Sequence, residues 1–125
     1  RKIPADIVHE NADTLSFLDI HPVNIGHTLI VPKEHYENVF DIPETLYVKL
    51  AETTKKVASA IKNGLQADAI NIISNNGSAS GQLVFHAHTH VIPRLSTDGF
   101  TPWKGARTYA DGEAREVAEK IKSKL

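Results

Sequence analysis

His86, Ala87, His88, Thr89 and His90 put histidine at every second position, and the apolar pair Val91 and Ile92 follows directly. A period of two belongs to a β-strand, whose successive side chains point to opposite faces, so the three imidazoles are predicted to share one face about 6.6 Å apart. On an ordinary core face all three polar rings would need hydrogen-bond partners, so the row points to a site rather than to packing. Histidine titrates near neutrality, carries protons, acts as a nucleophile and binds metals.

The rest of the chain supplies a sheet for that strand. Residues 7–10, 14–19, 28–31, 69–74 and 85–92 are rich in β-branched or alternating apolar residues and are separated by polar breaks, which predicts five strands. Between the third and fourth, residues 43–63 carry Leu46, Leu50, Val57, Ala60 and Ile61 at helical spacing, with Gly64 placed to end the helix. Ala114, Val117, Ala118, Ile121 and Leu125 repeat that spacing in a C-terminal helix. The order of three strands, helix, two strands and helix indicates an α+β fold with a five-stranded antiparallel sheet. There is no repeat, low-complexity tract or linker, so residues 1–125 are expected to form a single domain.

Charge and composition exclude several classes of function. Fourteen Lys and Arg against fifteen Asp and Glu give a net charge of −1, so the electrostatic footprint of a nucleic-acid or acidic-membrane binder is missing. No apolar run is long enough to span a bilayer, and the first residues do not read as a signal peptide. The absence of cysteine rules out disulfides and thiolate zinc ligands and suits a cytoplasmic location. The chain also lacks methionine, even at position 1, which suggests that an N-terminal segment of a longer product is missing. A domain this small has little depth for an enclosed pocket, so a dimer could help to build the site.

His-x-His on a strand suits a zinc or iron centre, yet no carboxylate lies between Ala69 and Thr97 to complete one. What precedes the row suits phosphate instead. Residues 74–82, Ser-Asn-Asn-Gly-Ser-Ala-Ser-Gly-Gln, read as a loop of small and neutral polar residues. Glycine and asparagine tolerate left-handed conformations that turn successive amides toward one anion, and the side chains add donors without negative charge.

Residues 81–94, GQLVFHAHTHVIPR, resemble the signature of the histidine triad (HIT) family of nucleotide hydrolases and transferases, and residues 19–35, DIHPVNIGHTLIVPKEH, resemble its other block. The two blocks stand in the family's order with a helix between them. The resemblance covers nearly the whole chain, and the stretch from Asp98, Gly99 and Phe100 to Trp103 is similar to members with a C-terminal helix. It implies a HIT-like fold, commonly a twofold homodimer that pairs long helices and edge strands.

The resemblance also implies roles. His88 matches the nucleophile, whose ring nitrogen attacks the α-phosphorus of a nucleotide derivative to give a nucleotidyl-histidine that water then releases. Neutral imidazole suits this work because it is substantially unprotonated at pH 7 and its phosphorus adduct is labile. His86 would supply the backbone carbonyl that holds the other ring nitrogen of His88. His90 matches the residue contacting phosphate or leaving group, with His27 an additional histidine beside it. Asn75, Gln82 and Leu83 match phosphate or leaving-group positions; many members have Ser or Thr in place of Leu83, which can offer only its N–H. Asp19 matches the carboxylate that accepts from the ribose hydroxyls, and Phe17 and Ile20 match apolar contacts around the base.

Some relatives bind zinc through a Cys-x-x-Cys pair, placed before the stretch matching Ile3, Pro4 and Ala5, together with histidines matching His35 and His86. Without cysteines a structural zinc is not expected here, and the chemistry implied needs no metal or redox cofactor. Trp103 either reaches a neighbouring site or covers the core, while His9 and His21 read as incidental surface residues. The expected activity is hydrolysis or transfer at the α-phosphate of purine nucleotide derivatives: adenosine phosphoramidates, acyl-adenylates and dinucleoside polyphosphates. Two other classes remain open, a metal-dependent enzyme using the row as ligands and a nucleotide-binding interaction protein with incidental hydrolysis.

Overall fold

A computed structural model describes residues 6–125; the stretch Ile3, Pro4 and Ala5 lies outside the described residues. Five strands, β1 (Ile7–Glu10), β2 (Thr14–Leu18), β3 (Thr28–Pro32), β4 (Ala69–Ile73) and β5 (Thr89–Arg94), form one sheet in the order β1-β2-β3-β5-β4. All four pairings are antiparallel. Helix α1 (Glu44–Gly64) crosses one face, and helix α2 (Glu113–Lys122) ends the chain. The α+β architecture is the one the sequence predicts.

Asn11 makes the first hairpin. Its side-chain oxygen accepts from the N–H groups of Asp13 and Thr14 and from the Thr14 hydroxyl at 2.8–3.0 Å, an Asx turn that commits the chain to reverse. From there the alternation of β2 and β3 sorts the sheet into two faces. Ile30 and Val91 turn toward α1 and form the core with Leu50, Val57 and Ile61. Among the buried polar side chains on that face, the Thr14 and Thr53 hydroxyls pair at 3.0 Å, while the Ser16 hydroxyl is buried without a hydrogen-bond partner. Phe17, Leu29 and His90 stand in register across β2, β3 and β5 and occupy the opposite face, which no helix among the described residues covers. The histidine row is thus offered on the open side of the sheet.

The last strand departs from expectation at its start. β5 begins at Thr89 rather than Phe85, because the backbone at 86–88 is bonded elsewhere. The Ala87 N–H donates to the Tyr36 carbonyl at 2.6 Å, and the His86 carbonyl accepts from a histidine ring instead of a neighbouring strand. Pro93 sits inside β5 without loss, since β3 has already ended opposite Val91 and the Pro93 carbonyl takes a hydrogen bond from the Asn24 side chain at 2.9 Å.

Gly64 does not terminate α1 by a left-handed turn. It is the last helical residue, Leu65 caps the helix, and the positive φ falls on Gln66 at 54°. The C-terminal helix is present but shorter than its apolar spacing suggests, and none of its side chains is fully buried. Residues 101–112 that lead to it are exposed throughout, Trp103 at 94%, so within one copy Trp103 does not cover the core.

Candidate active site

The turn 86–88 and strand β5 make the three histidines unequal. The His88 ring Nδ1 lies 2.7 Å from the His86 carbonyl oxygen. A carbonyl only accepts, so Nδ1 carries a proton, and in the neutral form of the ring the lone pair falls on Nε2. His86 points its own Nε2 at the Pro32 carbonyl, 3.1 Å away, and its Nδ1 meets His35 Nδ1 at 2.9 Å. By the same reasoning His86 donates from Nε2, and His35 donates from Nδ1 to His86. His35, the partner of His86 in the zinc sites of some relatives, here takes part in a hydrogen-bonded pair of rings whose centroids are 4.9 Å apart.

His90 stands edge-on to His88, with ring centroids 5.0 Å apart, and its Nδ1 is 2.9 Å from His27 Nε2. His27 is 3% exposed. Burial lowers its pKa against the opposing pull of the Asp19 carboxylate, whose oxygen is 3.7 Å from Nε2. Burial also lowers the pKa of His90, and the nearby His88 and His27 rings push it the same way. Both rings are therefore held neutral at pH 7.

Asp19, His27 and His90 together offer three metal-type ligand atoms within 4.8 Å of one another, the carboxylate coming from the end of β2 rather than from residues 69–97. Their present spacing is a different matter. A zinc ion bound to both rings at about 2.0–2.1 Å in tetrahedral geometry would hold the nitrogens roughly 3.3 Å apart, and at 2.9 Å they are at hydrogen-bond distance.

An apolar cleft of about 580 Å³ runs along the open sheet face to His86 and His88. Leu15, Phe17, Leu29, Val31 and Val84 wall it, and the Lys33–Glu10 ion pair, 2.7 Å long, stands at its edge. Its size falls in the ~300–1,000 Å³ range of small-molecule sites. Of the residues expected around a nucleoside, Phe17 lines the cleft. Asp19 lies just past β2, where its Oδ1 accepts from the His21 N–H at 2.9 Å, and Ile20 is 66% exposed beside it.

The loop at 74–82 takes its shape from two glycines and from the buried side chain of Gln82. Gly77 and Gly81 take φ of 98° and 103° on either side of a single 3-10 turn, Ser78–Ser80, a backbone that residues with a Cβ rarely adopt. Gln82 is 2% exposed. Its Oε1 accepts from the Gly77 N–H at 2.7 Å and from Asn38 Nδ2 at 3.5 Å, and its Nε2 donates to the carbonyls of Glu37 and Val84 at 2.7 and 3.1 Å. With these bonds made the side chain has no capacity left for a ligand; it clamps the loop instead. Asn75 is half-buried on the same loop, and Leu83, at 88% exposure, stands free in front of it.

Residues that sequence reasoning did not reach are mostly backbone groups. The Pro32 and Tyr36 carbonyls and the N–H of Val23, which donates to His27 Nδ1 at 3.0 Å, have no side-chain signature. Asn38 is also new, and Asn76, already read as part of the polar loop, has a structural bond: its Oδ1 accepts from the Val39 N–H at 2.8 Å and ties the segment before α1 to the loop.

Known proteins resemble this chain in both sequence and fold. The model of the HIT domain matches residues 1–97. The crystal structure of a HIT family member from Bacillus subtilis superposes with a TM-score of 0.91 at 36% identity, covering 98% of this chain and 89% of that one. A histidine triad nucleotide-binding protein from Candida albicans superposes with a TM-score of 0.86 at 30% identity, covering 99% and 90%. Among sequences, the adenylylsulfatase HINT3 of Arabidopsis thaliana is 31% identical over 121 residues, 94% of this chain and 61% of that protein. With its two sequence blocks, its sheet and its unequal histidines, the chain belongs to the histidine triad family.

Proposed function

We propose that the protein hydrolyses or transfers nucleotidyl groups at the α-phosphorus of purine nucleotide derivatives, with His88 as nucleophile. The observation that carries this reading is the 2.7 Å hydrogen bond from His88 Nδ1 to the His86 carbonyl, which leaves Nε2 unprotonated at the end of the apolar cleft. His88 Nε2 forms a bond to phosphorus while the leaving group departs with its bonding pair and takes up a proton from solvent, the proton that the attacking water later returns to it. Water then attacks the same phosphorus, the P–N bond breaks, and the nucleoside monophosphate and neutral His88 are released.

The remaining groups suit that sequence. Phe17 and its apolar neighbours receive the base, Asp19 accepts from the ribose hydroxyls, and the clamped loop with Asn75 and the Leu83 N–H holds phosphate oxygens. His90 faces the leaving group. Adenosine phosphoramidates, acyl-adenylates and dinucleoside polyphosphates share the bond to be broken, and the named activity of the plant relative, an adenylylsulfatase, concerns an adenylyl group as well. A homodimer fits the surface: β4 is a sheet edge whose Ile72 is 55% exposed, and Tyr47 and Val48 of α1 are exposed too. Among the described residues no helix is long and apolar enough to cross a membrane.

The test pairs a fluorogenic adenosine phosphoramidate and diadenosine tetraphosphate with wild-type protein and His88→Ala. Turnover of at least one probe by wild type, its loss by several orders of magnitude in the variant, and a trappable adduct on His88 are expected. Undiminished activity of His88→Ala ends the covalent reading. The cluster of Asp19, His27 and His90 favours one second reading, a metal-dependent hydrolase, which predicts loss of activity to a chelator and recovery with zinc. The proposed chemistry is indifferent to the chelator.

A further inference from the structure

We propose that the backbone N–H of Val23 fixes His90 as a hydrogen-bond donor toward the departing group, acting through His27 as a positioning residue. The proposal rests on the hydrolase reading above and deepens it. A backbone N–H only donates, so the 3.0 Å contact from Val23 N to His27 Nδ1 makes Nδ1 an acceptor. Neutral His27 then carries its proton on Nε2 and donates it to His90 Nδ1, 2.9 Å away. His90 is left with its own proton on Nε2, the nitrogen on the far side of the ring.

Two further polar groups flank this relay: Asp19, 3.7 Å from His27 Nε2, and His88, edge-on to His90 with ring centroids 5.0 Å apart. A doubly protonated His27 would satisfy Asp19 but would set a ring N–H against the Val23 N–H. The loop that presents Val23 is itself pinned: His27 N–H donates to the Asn24 carbonyl at 3.0 Å, and Asn24 Nδ2 donates to the Pro93 carbonyl and to Asp98 Oδ2 at 2.9 and 3.0 Å. Asp98 is held in turn by Arg94 at 2.9 Å. The donor that sets the polarity of the relay is thereby anchored to the same strand that carries His90.

Glutamine at position 27 keeps one acceptor and one donor, whereas glutamate offers acceptors only and asks His90 to move its proton to Nδ1. Imidazole ¹⁵N shifts of the unliganded protein are expected to show His90 protonated on Nε2 and His88 on Nδ1; His90 protonated on Nδ1 overturns the proposal. In kinetics, His27→Glu is expected to lower kcat about 10²- to 10⁴-fold on an adenosine phosphoramidate, with a smaller change in KM. His27→Gln recovers at least tenfold of that loss. The Glu variant's loss should shrink for adenosine 5′-(p-nitrophenyl phosphate), whose leaving group needs little help. Equal losses in both variants, or equal losses on both substrates, reduce His27 to a packing role and refute the proposal. Wild-type protein that turns over neither probe sinks the hydrolase reading, while the ¹⁵N shifts still decide the polarity of the relay.

Discussion

Replacing Gln82 by methionine separates two roles that its place in the loop allows. The side chain is buried and makes four hydrogen bonds, of which those to the Gly77 N–H and the Glu37 carbonyl, both 2.7 Å, are short and that to Asn38, 3.5 Å, is marginal. Methionine preserves length and most of the volume but pairs with none of these groups. Three of the partners belong to the backbone, at Gly77, Glu37 and Val84, and a buried polar group left unpaired costs about 1–3 kcal/mol. These partners are partly buried and water can rescue some of them, so the loss should come to about 2–4 kcal/mol rather than the full sum. Urea unfolding at fixed protein concentration measures it as a lower midpoint at unchanged slope. Turnover should fall as well, through a higher KM, because the 74–82 loop, proposed to hold phosphate oxygens, loses its clamp. A Gln82→Met protein of wild-type stability with impaired turnover would refute this reasoning and return Gln82 to direct contact with phosphate. The next residue gives the contrast: Leu83→Ser at an 88% exposed position should leave stability within about 0.5 kcal/mol and raise turnover by adding a hydroxyl to the site.

Acid should destabilise the fold in a defined window. His27 and His90 have folded pKa values below the ordinary 6.5, so the unfolded chain binds more protons than the native one once pH falls through that value. Their contribution is fully present above pH 6.5 and is lost progressively as pH falls toward the depressed folded values. Melting temperatures from pH 8 to 5 should drop below 6.5, less steeply in His27→Gln. Gly26→Ala should cost about 1–3 kcal/mol in the same unfolding assay, because φ is +100°, where a residue with a Cβ is strained; the exposed end of the Leu65 side chain that the Cβ would meet can swing aside.

Much of the fold was legible because its signals are local. The runs at 7–10 and 69–74 become β1 and β4 to within a residue, and the stripe from Leu50 to Ile61 becomes the buried face of α1. The start of β5 was not legible, since nothing in the order of residues 85–88 says that the Ala87 N–H will find the Tyr36 carbonyl instead of a strand. Gly64 misled for a related reason: glycine permits a left-handed turn without requiring one, and the chain turns at Gln66. At the site, residue type announced the histidines but not their partners. His27 and His90 are 63 positions apart and meet only because β3 and β5 pair. Gln82 looks the same in sequence whether it holds a ligand or holds a loop; only burial separates the two.

The deepest difference between His88 and His90 is one that side-chain identity cannot encode. The two rings are chemically alike, two residues apart, and nearly in contact. One is anchored by a carbonyl, directly, and the other by a backbone N–H, through His27. Because a carbonyl only accepts and an N–H only donates, the anchors leave opposite ends of the rings facing outward: a lone pair on His88 and a proton on His90. A hydrogen bond of about 1–1.5 kcal/mol biases a tautomer roughly five- to tenfold, and two in series on the His90 side reinforce each other. A nucleophile and a donor can thus stand side by side, and the burial that depresses the His27 and His90 pKa values keeps the two rings on the donor side neutral.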